Sequence, residues 1–125
     1  MATILVVDDD TDIREVIGQY FEQRAGDHQV FMAQDGVEAL EILQREHVDL
    51  ALIDLHMPRM SGIELVDRCN RLFPDVRYVV MSGHEDAIAL ARQKLMFQPV
   101  LLHKPFELKQ LDGIVAGALQ DEFDG

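Results

Sequence analysis

Cysteine is nearly absent. Cys69 stands alone, which rules out an internal disulfide. It lies among Ile63, Val66, Leu72 and Phe73 at helical spacing, the setting of a buried structural thiol rather than a reactive one. Long hydrophobic runs are missing too, and none approaches the roughly 20 residues that a membrane helix needs. No basic-then-apolar leader precedes the first strand-like run, so the cytoplasm is the expected compartment. Basic residues are scarce, 11 against 23 acidic, for a formal net charge of −12. Affinity for a phosphate backbone comes from clustered Lys and Arg, so direct nucleic-acid binding is not expected. Anionic membrane surfaces are disfavoured for the same reason. Most of the acidic excess reads as a solvated surface, and a basic or mixed-charge protein partner or a divalent cation suits it. Repeats, linkers and low-complexity stretches are also lacking.

What is present is an ordinary globular composition. The 125 residues are 48% hydrophobic and 27% charged, enough for one core and too few for two. One domain over residues 1–125 is expected, with a frayed tail from Asp121 to Gly125. Strand-length apolar runs alternate with helical patterns. Thr3 to Asp8 is a continuous, β-branched-rich run of the kind parallel sheets bury. From Asp12 the period turns helical, with Ile13, Val16, Ile17, Tyr20 and Phe21 on one face, until Gly26-Asp27 breaks it. Val30 to Ala33 is a short second strand. Asp35-Gly36 is a turn and cap before a helix whose inner face carries Val37, Leu40 and Leu43.

Leu50 to Asp54 is the third strand. Met57 to Gly62 is a loop, with Ser61 capping a helix that stops before Pro74. Arg77 to Ser82, then Pro99 to His103, are the fourth and fifth strands. Glu85 to Leu95 is a weaker, Ala-rich helix. A last helix from Glu107 to about Gln120 turns Leu108, Leu111, Val115 and Leu119 inward. Five β/α units in a row predict an α/β fold, a single doubly wound (βα)5 three-layer sandwich. The flavodoxin-like strand order 2-1-3-4-5 places the switch point between strands 1 and 3.

Those two strands end in Asp8-Asp9 and in Asp54. Strand 4 ends in Ser82, and strand 5 is followed by Lys104-Pro105. Open α/β sheets place their chemistry at these carboxyl ends. A lone Asp at a strand end is usually a cap or turn residue, and a lone Ser or Lys there means less still. Here all of them share one end of the sheet. Three converging carboxylates need a proton or a cation between them. Hard oxygen donors favour Mg²⁺ or Mn²⁺ over zinc, with Asp9 and Asp54 as direct ligands. The backbone carbonyl of His56 would be a third ligand, and Asp8 would hold a metal-bound water. A cation with open positions points to phosphoryl transfer. Asp54 is the candidate nucleophile, Lys104 would offset the incoming charge, and Ser82 would donate its hydroxyl to a phosphate oxygen. Gly83 would leave room beside Ser82, and a cis Lys104-Pro105 bond would aim the lysine inward. Asp10 and Asp12 read as cap and first-turn charges.

In combination and in this order, the segments Ile4–Asp10, Gln34–Leu40, Asp54–Gly62, Val80–Gly83 and Lys104–Phe106 resemble the receiver domain of two-component response regulators, the chemotaxis-type (CheY-like) fold. The resemblance covers essentially the whole chain. It implies that Asp54 takes a phosphoryl group from a phosphohistidine on a sensor histidine kinase or phosphotransfer protein, or from small acyl and amidophosphate donors. It implies Asp8 and Asp9 as the acidic pair for Mg²⁺, Ser82 as the switch hydroxyl, and Lys104 as a phosphate contact. Such a domain is no turnover enzyme. It phosphorylates and dephosphorylates itself and shifts between two conformations. The fourth helix, fifth strand and fifth helix usually carry the readout to a target or output domain, and the domain would be a monomer or a weak homodimer through that face.

Three departures bear on that expectation. Leu101 stands three before the lysine, where such domains commonly carry an aromatic that swings inward. Phe97-Gln98-Pro99 replace a common Gly-Ala turn. His56 and His84 follow Asp54 and Ser82 by two positions each. Neutral imidazoles there would orient water and protonated ones would pair with phosphate, while the alternative is simply exposed histidines at a cleft mouth. His28, His47 and His103 carry no site argument. Two other functions remain open. A haloacid-dehalogenase-type phosphatase also uses a strand-end Asp, Mg²⁺ and Lys, but wants a second Asp where this chain has His56. A non-phosphorylated interaction module on the same fold is favoured only by Leu101.

Overall fold

The computed structural model describes residues 2–23, 28–57, 60–95 and 99–124. The five strands are β1 (Thr3–Val7), β2 (Gln29–Ala33), β3 (Leu50–Asp54), β4 (Arg77–Ser82) and β5 (Val100–His103). The helices between and after them are α1 (Thr11–Gln23), α2 (Gly36–Arg45), α3 (Gly62–Leu72), α4 (Glu85–Lys94) and α5 (Leu108–Asp124). All pairings are parallel, in the order β2-β1-β3-β4-β5. The expected strand order and every element are therefore present. Boundaries moved slightly, and α5 continues to Asp124, past the expected end at Gln120. The expected break at Gly26-Asp27, residues 58–59 of the loop after β3, and residues 97–98 lie outside the described residues.

Strand residues alternate between two cores, as the period-two geometry of a sheet buried on both faces requires. Leu5, Val7, Ala51, Ile53 and Val80 pack with Ala39, Leu43, Leu65, Val66 and Ile88 of α2, α3 and α4. Ile4, Val6, Leu50, Leu52, Val79, Met81 and Leu102 pack with Ile17, Phe21, Leu111 and Val115 of α1 and α5. Three layers result. Each fully buried Leu, Ile or Val adds roughly 1.5–3 kcal/mol of apolar burial.

Local signals placed the helix starts. The Asp35 carboxylate accepts from the N–H of Glu38, Ser61 from that of Glu64, and Asp10 from that of Asp12. Each satisfies a helix-end donor that has no partner inside the helix. Cys69 is fully buried, and burial pushes its thiol up to about 12, so it is the structural residue expected.

Helical spacing misassigned three apolar positions. Val16, Val37 and Leu72 are 52%, 48% and 61% exposed, on the outer margins of their apolar stripes. An amphipathic stripe is wider than the strip a sheet covers, and only packing decides where cover stops. No helix among the described residues is long and apolar enough to cross a membrane.

Candidate functional site

Asp8 and Asp54 share a side of the sheet by strand parity. Ile4 and Val6 precede Asp8, Leu50 and Leu52 precede Asp54, and all four face the α1–α5 core. Leu102 faces the same way two residues before Lys104. The Lys104-Pro105 peptide is cis, as expected. Phe106 packs into the same core and anchors the loop after the lysine. The Lys104 ammonium lies 2.7 Å from Asp8 Oδ2 and 3.5 Å from Asp54 Oδ2.

Carboxylate oxygens of Asp8, Asp9 and Asp54 lie within 4.8 Å of one another. Asp8 and Asp54 are buried, while Asp9 stands exposed at the rim. The cluster lines a cleft of about 200 Å³ together with Asp10, Ile13, His56, Gly83, His84 and Lys104. Its donors are all oxygen and one side is open, a set that could hold Mg²⁺ or Mn²⁺. The carbonyl of His56 makes no hydrogen bond with another described residue.

Charge balance sets the protonation states. Burial pushes the Asp54 carboxyl up from an ordinary 3.8 to about 6. The N–H of His56, which donates to Asp54 Oδ1 at 3.1 Å, pulls against that rise. The charge of Asp8 adds to it, and the Lys104 ammonium opposes it. Burial pulls the Lys104 ammonium down, but its hydrogen bond to Asp8 and the charge of Asp54 outweigh burial and raise it.

Ser82 is buried beside the cluster but bonded elsewhere. Its Oγ accepts from the N–H of His84 at 2.9 Å and donates to the His84 carbonyl at 3.3 Å. Among the described residues it touches neither Asp54 nor Lys104 by hydrogen bond. Strand parity explains why: Val80, two residues earlier, faces the α2–α3–α4 core. The backbones still join, with Lys104 N–H donating to the Ser82 carbonyl at 2.8 Å.

Gly62 has a steric reason that Gly83 lacks. A Cβ on Gly62 would overlap the carbonyl oxygen of Asp54 and the Cα of Leu55. The close approach lets the start of α3 sit against the end of β3, where Gly62 N–H donates to the Leu55 carbonyl at 3.1 Å. A Cβ on Gly83 would meet nothing nearer than Lys104 Cβ at 3.6 Å, an ordinary contact, so no neighbouring protein atom requires a glycine there, and Gly83 lines the cleft.

His56 and His84, singled out separately by their spacing, sit together at the cleft mouth with ring centroids 4.9 Å apart. The other histidines have partners outside the cleft: Nδ1 of His28 accepts from the N–H of Ala2, His47 lies beside Asp49, and His103 beside Glu85. Sequence reading passed over Arg14, whose guanidinium donates to the Asp8 carbonyl at 2.7 Å. Its only sequence signal is helical spacing after Asp10.

The fold and this strand-end cluster define a class: a doubly wound α/β protein with an acidic, lysine-bearing cleft at its topological switch point. Comparison with known proteins narrows it. Residues 4–116 match the response regulator receiver domain family, and the chain belongs to that family. Sporulation initiation phosphotransferase F of Bacillus subtilis (strain 168) is 30% identical over 108 residues, covering 86% of each chain. Response regulator receiver protein CpdR of Brucella abortus (strain 2308) is 34% identical over 111 residues, 89% of this chain and 91% of the relative. Sensor kinase CckA of the same organism is 35% identical over 127 residues, 97% of this chain, yet the chain spans only 13% of that kinase.

Among solved structures, the signal receiver domain of an HD domain-containing protein from Pseudomonas fluorescens Pf-5 superposes with a TM-score of 0.89 at 25% identity, covering 99% and 98% of the two chains. Response regulator protein TrrA of Thermotoga maritima, solved in complex with Mg²⁺-BeF, gives a TM-score of 0.82 at 25% identity over 94% and 99%. The protein is thus a receiver domain of two-component signalling.

Proposed function

We propose that the domain is a phosphorylatable switch. Asp54 accepts a phosphoryl group from a phosphohistidine on a sensor histidine kinase or histidine phosphotransfer protein. A carboxylate oxygen of Asp54 forms the new O–P bond as the P–N bond to the donor imidazole breaks, and the electron pair leaves with the imidazole. The observation that carries this reading is the Lys104 ammonium shared between Asp8 and Asp54 within a cluster of three carboxylates. A cluster so charged is adapted to a cation and an anionic ligand.

Asp8, Asp9, Asp54 and the His56 carbonyl would hold Mg²⁺, with Mn²⁺ as a substitute. The cation would supply positive charge to the phosphoryl oxygens. Lys104 follows the phosphoryl oxygens from Asp54, and the His56 N–H holds the acceptor carboxylate in orientation. Ser82 serves as the switch hydroxyl, which requires it to leave the His84 backbone and turn toward the phosphoryl group. The domain acts only on its own Asp54 and is no turnover enzyme. An acid-base Asp two residues after the nucleophile, as a dehalogenase-type phosphatase needs, is replaced by His56.

The donor protein meets the domain beside the cleft. A largely apolar groove of about 560 Å³ between α1 and the start of α5 adjoins the site through Ile13, Gly83 and Lys104. A stand-alone receiver and one segment of a longer signalling protein both fit, and the partner or output domain then reads the shifted conformation. The compartment is the cytoplasm.

Acetyl phosphate or phosphoramidate with Mg²⁺, followed by intact-mass measurement, tests the reading. A metal-dependent adduct that disappears in Asp54→Asn supports the switch. Rapid turnover of many phosphate esters would favour the phosphatase instead. No adduct from any donor, kinase included, would leave an interaction module, the reading that Leu101 favours.

A further inference from the structure

Arg14 lies in the first turn of α1 and reaches back over the β1–α1 turn. Its guanidinium forks. Nη1 donates to the Asp8 carbonyl oxygen at 2.7 Å and Nη2 to Thr11 Oγ1 at 3.1 Å. Asp8 is thereby engaged at every polar atom. Its N–H donates to the Ala33 carbonyl at 3.2 Å, Oδ1 accepts from Asp10 N–H at 2.9 Å, and Oδ2 accepts from Lys104 at 2.7 Å. Asp9 is the opposite case. It is exposed and makes no hydrogen bond or ion pair with another described residue, yet its carboxylate lies within the acidic cluster.

No described residue holds the Asp9 side chain there, so its position is set by its backbone. The carbonyl that Arg14 grips belongs to the peptide plane joining Asp8 to Asp9. That plane is rigid, and fixing its oxygen fixes the nitrogen and Cα of Asp9 on the other side. Two donors from one planar group, each on its own acceptor, fix an orientation that a single point charge does not.

We propose that Arg14 is the positioning residue of the acidic pair: its fork on the Asp8 carbonyl and Thr11 holds the Asp8–Asp9 peptide so that Asp9 is presented to a divalent cation. The inference rests on the cation site of the preceding subsection and adds a residue which that reading does not use. Arg14 also carries a positive charge, which by itself opposes cation binding. The two effects have opposite signs, so substitution separates them. Loss of the charge alone tightens cation binding, and loss of the clamp weakens it.

The experiment is calorimetric titration of Mg²⁺ into the unsubstituted chain, Arg14→Met, Arg14→Lys and Thr11→Val, with thermal unfolding of each without metal. The expected result is roughly tenfold weaker Mg²⁺ binding in Arg14→Met despite the lost positive charge. Arg14→Lys, which keeps the charge and loses the fork, also binds more weakly, and Thr11→Val shows a smaller loss. If Arg14→Met does not fold, Arg14→Lys and Thr11→Val carry the test. Mg²⁺ binding unchanged or tightened in the folded variants overturns the clamp while leaving the cation site standing. No Mg²⁺ binding by the unsubstituted chain overturns both.

Discussion

Asp54 is caught between burial and its neighbours. Its carboxyl titrates at about 6 rather than 3.8, so the folded state holds this proton longer than the unfolded chain does. The stability contributed by that proton is complete below about 3.8 and is lost as the pH rises through about 6. Asp54→Asn therefore stabilises the metal-free protein at about pH 7.5 by on the order of 1–3 kcal/mol, and thermal unfolding across pH should show the gap closing below about pH 4. Lys104 keeps Asp8 as its closer partner in that variant, so no buried charge is stranded. Lys104→Met does strand charge. The Asp54 titration, followed by carboxyl carbon-13 NMR, should then move above about 6. Phosphorylation by acetyl phosphate in that variant should slow on the order of a hundredfold.

Among the elements, the junction of β3 and α3 sets the backbone of Asp54, the proposed phosphoacceptor. Gly62→Ala pushes a methyl group into the Asp54 carbonyl and Leu55 Cα, backbone atoms that cannot rotate away. It should cost roughly 1–3 kcal/mol in denaturant unfolding and slow labelling of Asp54. Gly83→Ala should stay within about 0.5 kcal/mol, since its added carbon meets only ordinary contact. Gly83 lines the cleft and Gly62 sits behind Asp54, and only Gly62 is closely approached by backbone. Leu101 of β5 packs inward against the α2–α3–α4 core. With no ring there to swing, a switch as proposed would have to pass from the cleft to the outer face of α4 and β5 through the Ser82–His84 turn or the backbone link from Lys104 to Ser82.

As a whole, the molecule carries a net charge of −12, and its densest buried acidity sits at one end of the sheet. A ligand that binds only the folded state stabilises it by mass action. Mg²⁺ at about a hundred times its dissociation constant should contribute about 2.7 kcal/mol. The melting temperature should rise with MgCl₂ beyond a control of matched ionic strength and fall back with chelator. Asp9→Asn should blunt this response more than it changes the metal-free melting temperature, because its exposed carboxylate has no partner among the described residues.

By itself the sequence determined the order and type of elements, the α/β class, the strand order and the residues that reach the carboxyl ends of the strands. These follow from short-range physics: continuous apolar runs of strand length, helical stripes, caps such as Asp35 and Ser61, and the breaks between them. Tertiary structure alone decided the rest. It showed which stripe residues the sheet leaves uncovered, as at Val16, Val37 and Leu72. It showed that Lys104 leans on Asp8 more closely than on Asp54, that Ser82 is turned onto His84, and that Arg14 reaches the Asp8 carbonyl. Periodicity says which face a side chain starts from. Where its polar atoms end depends on partners from distant segments, and those partners meet only once the chain is packed.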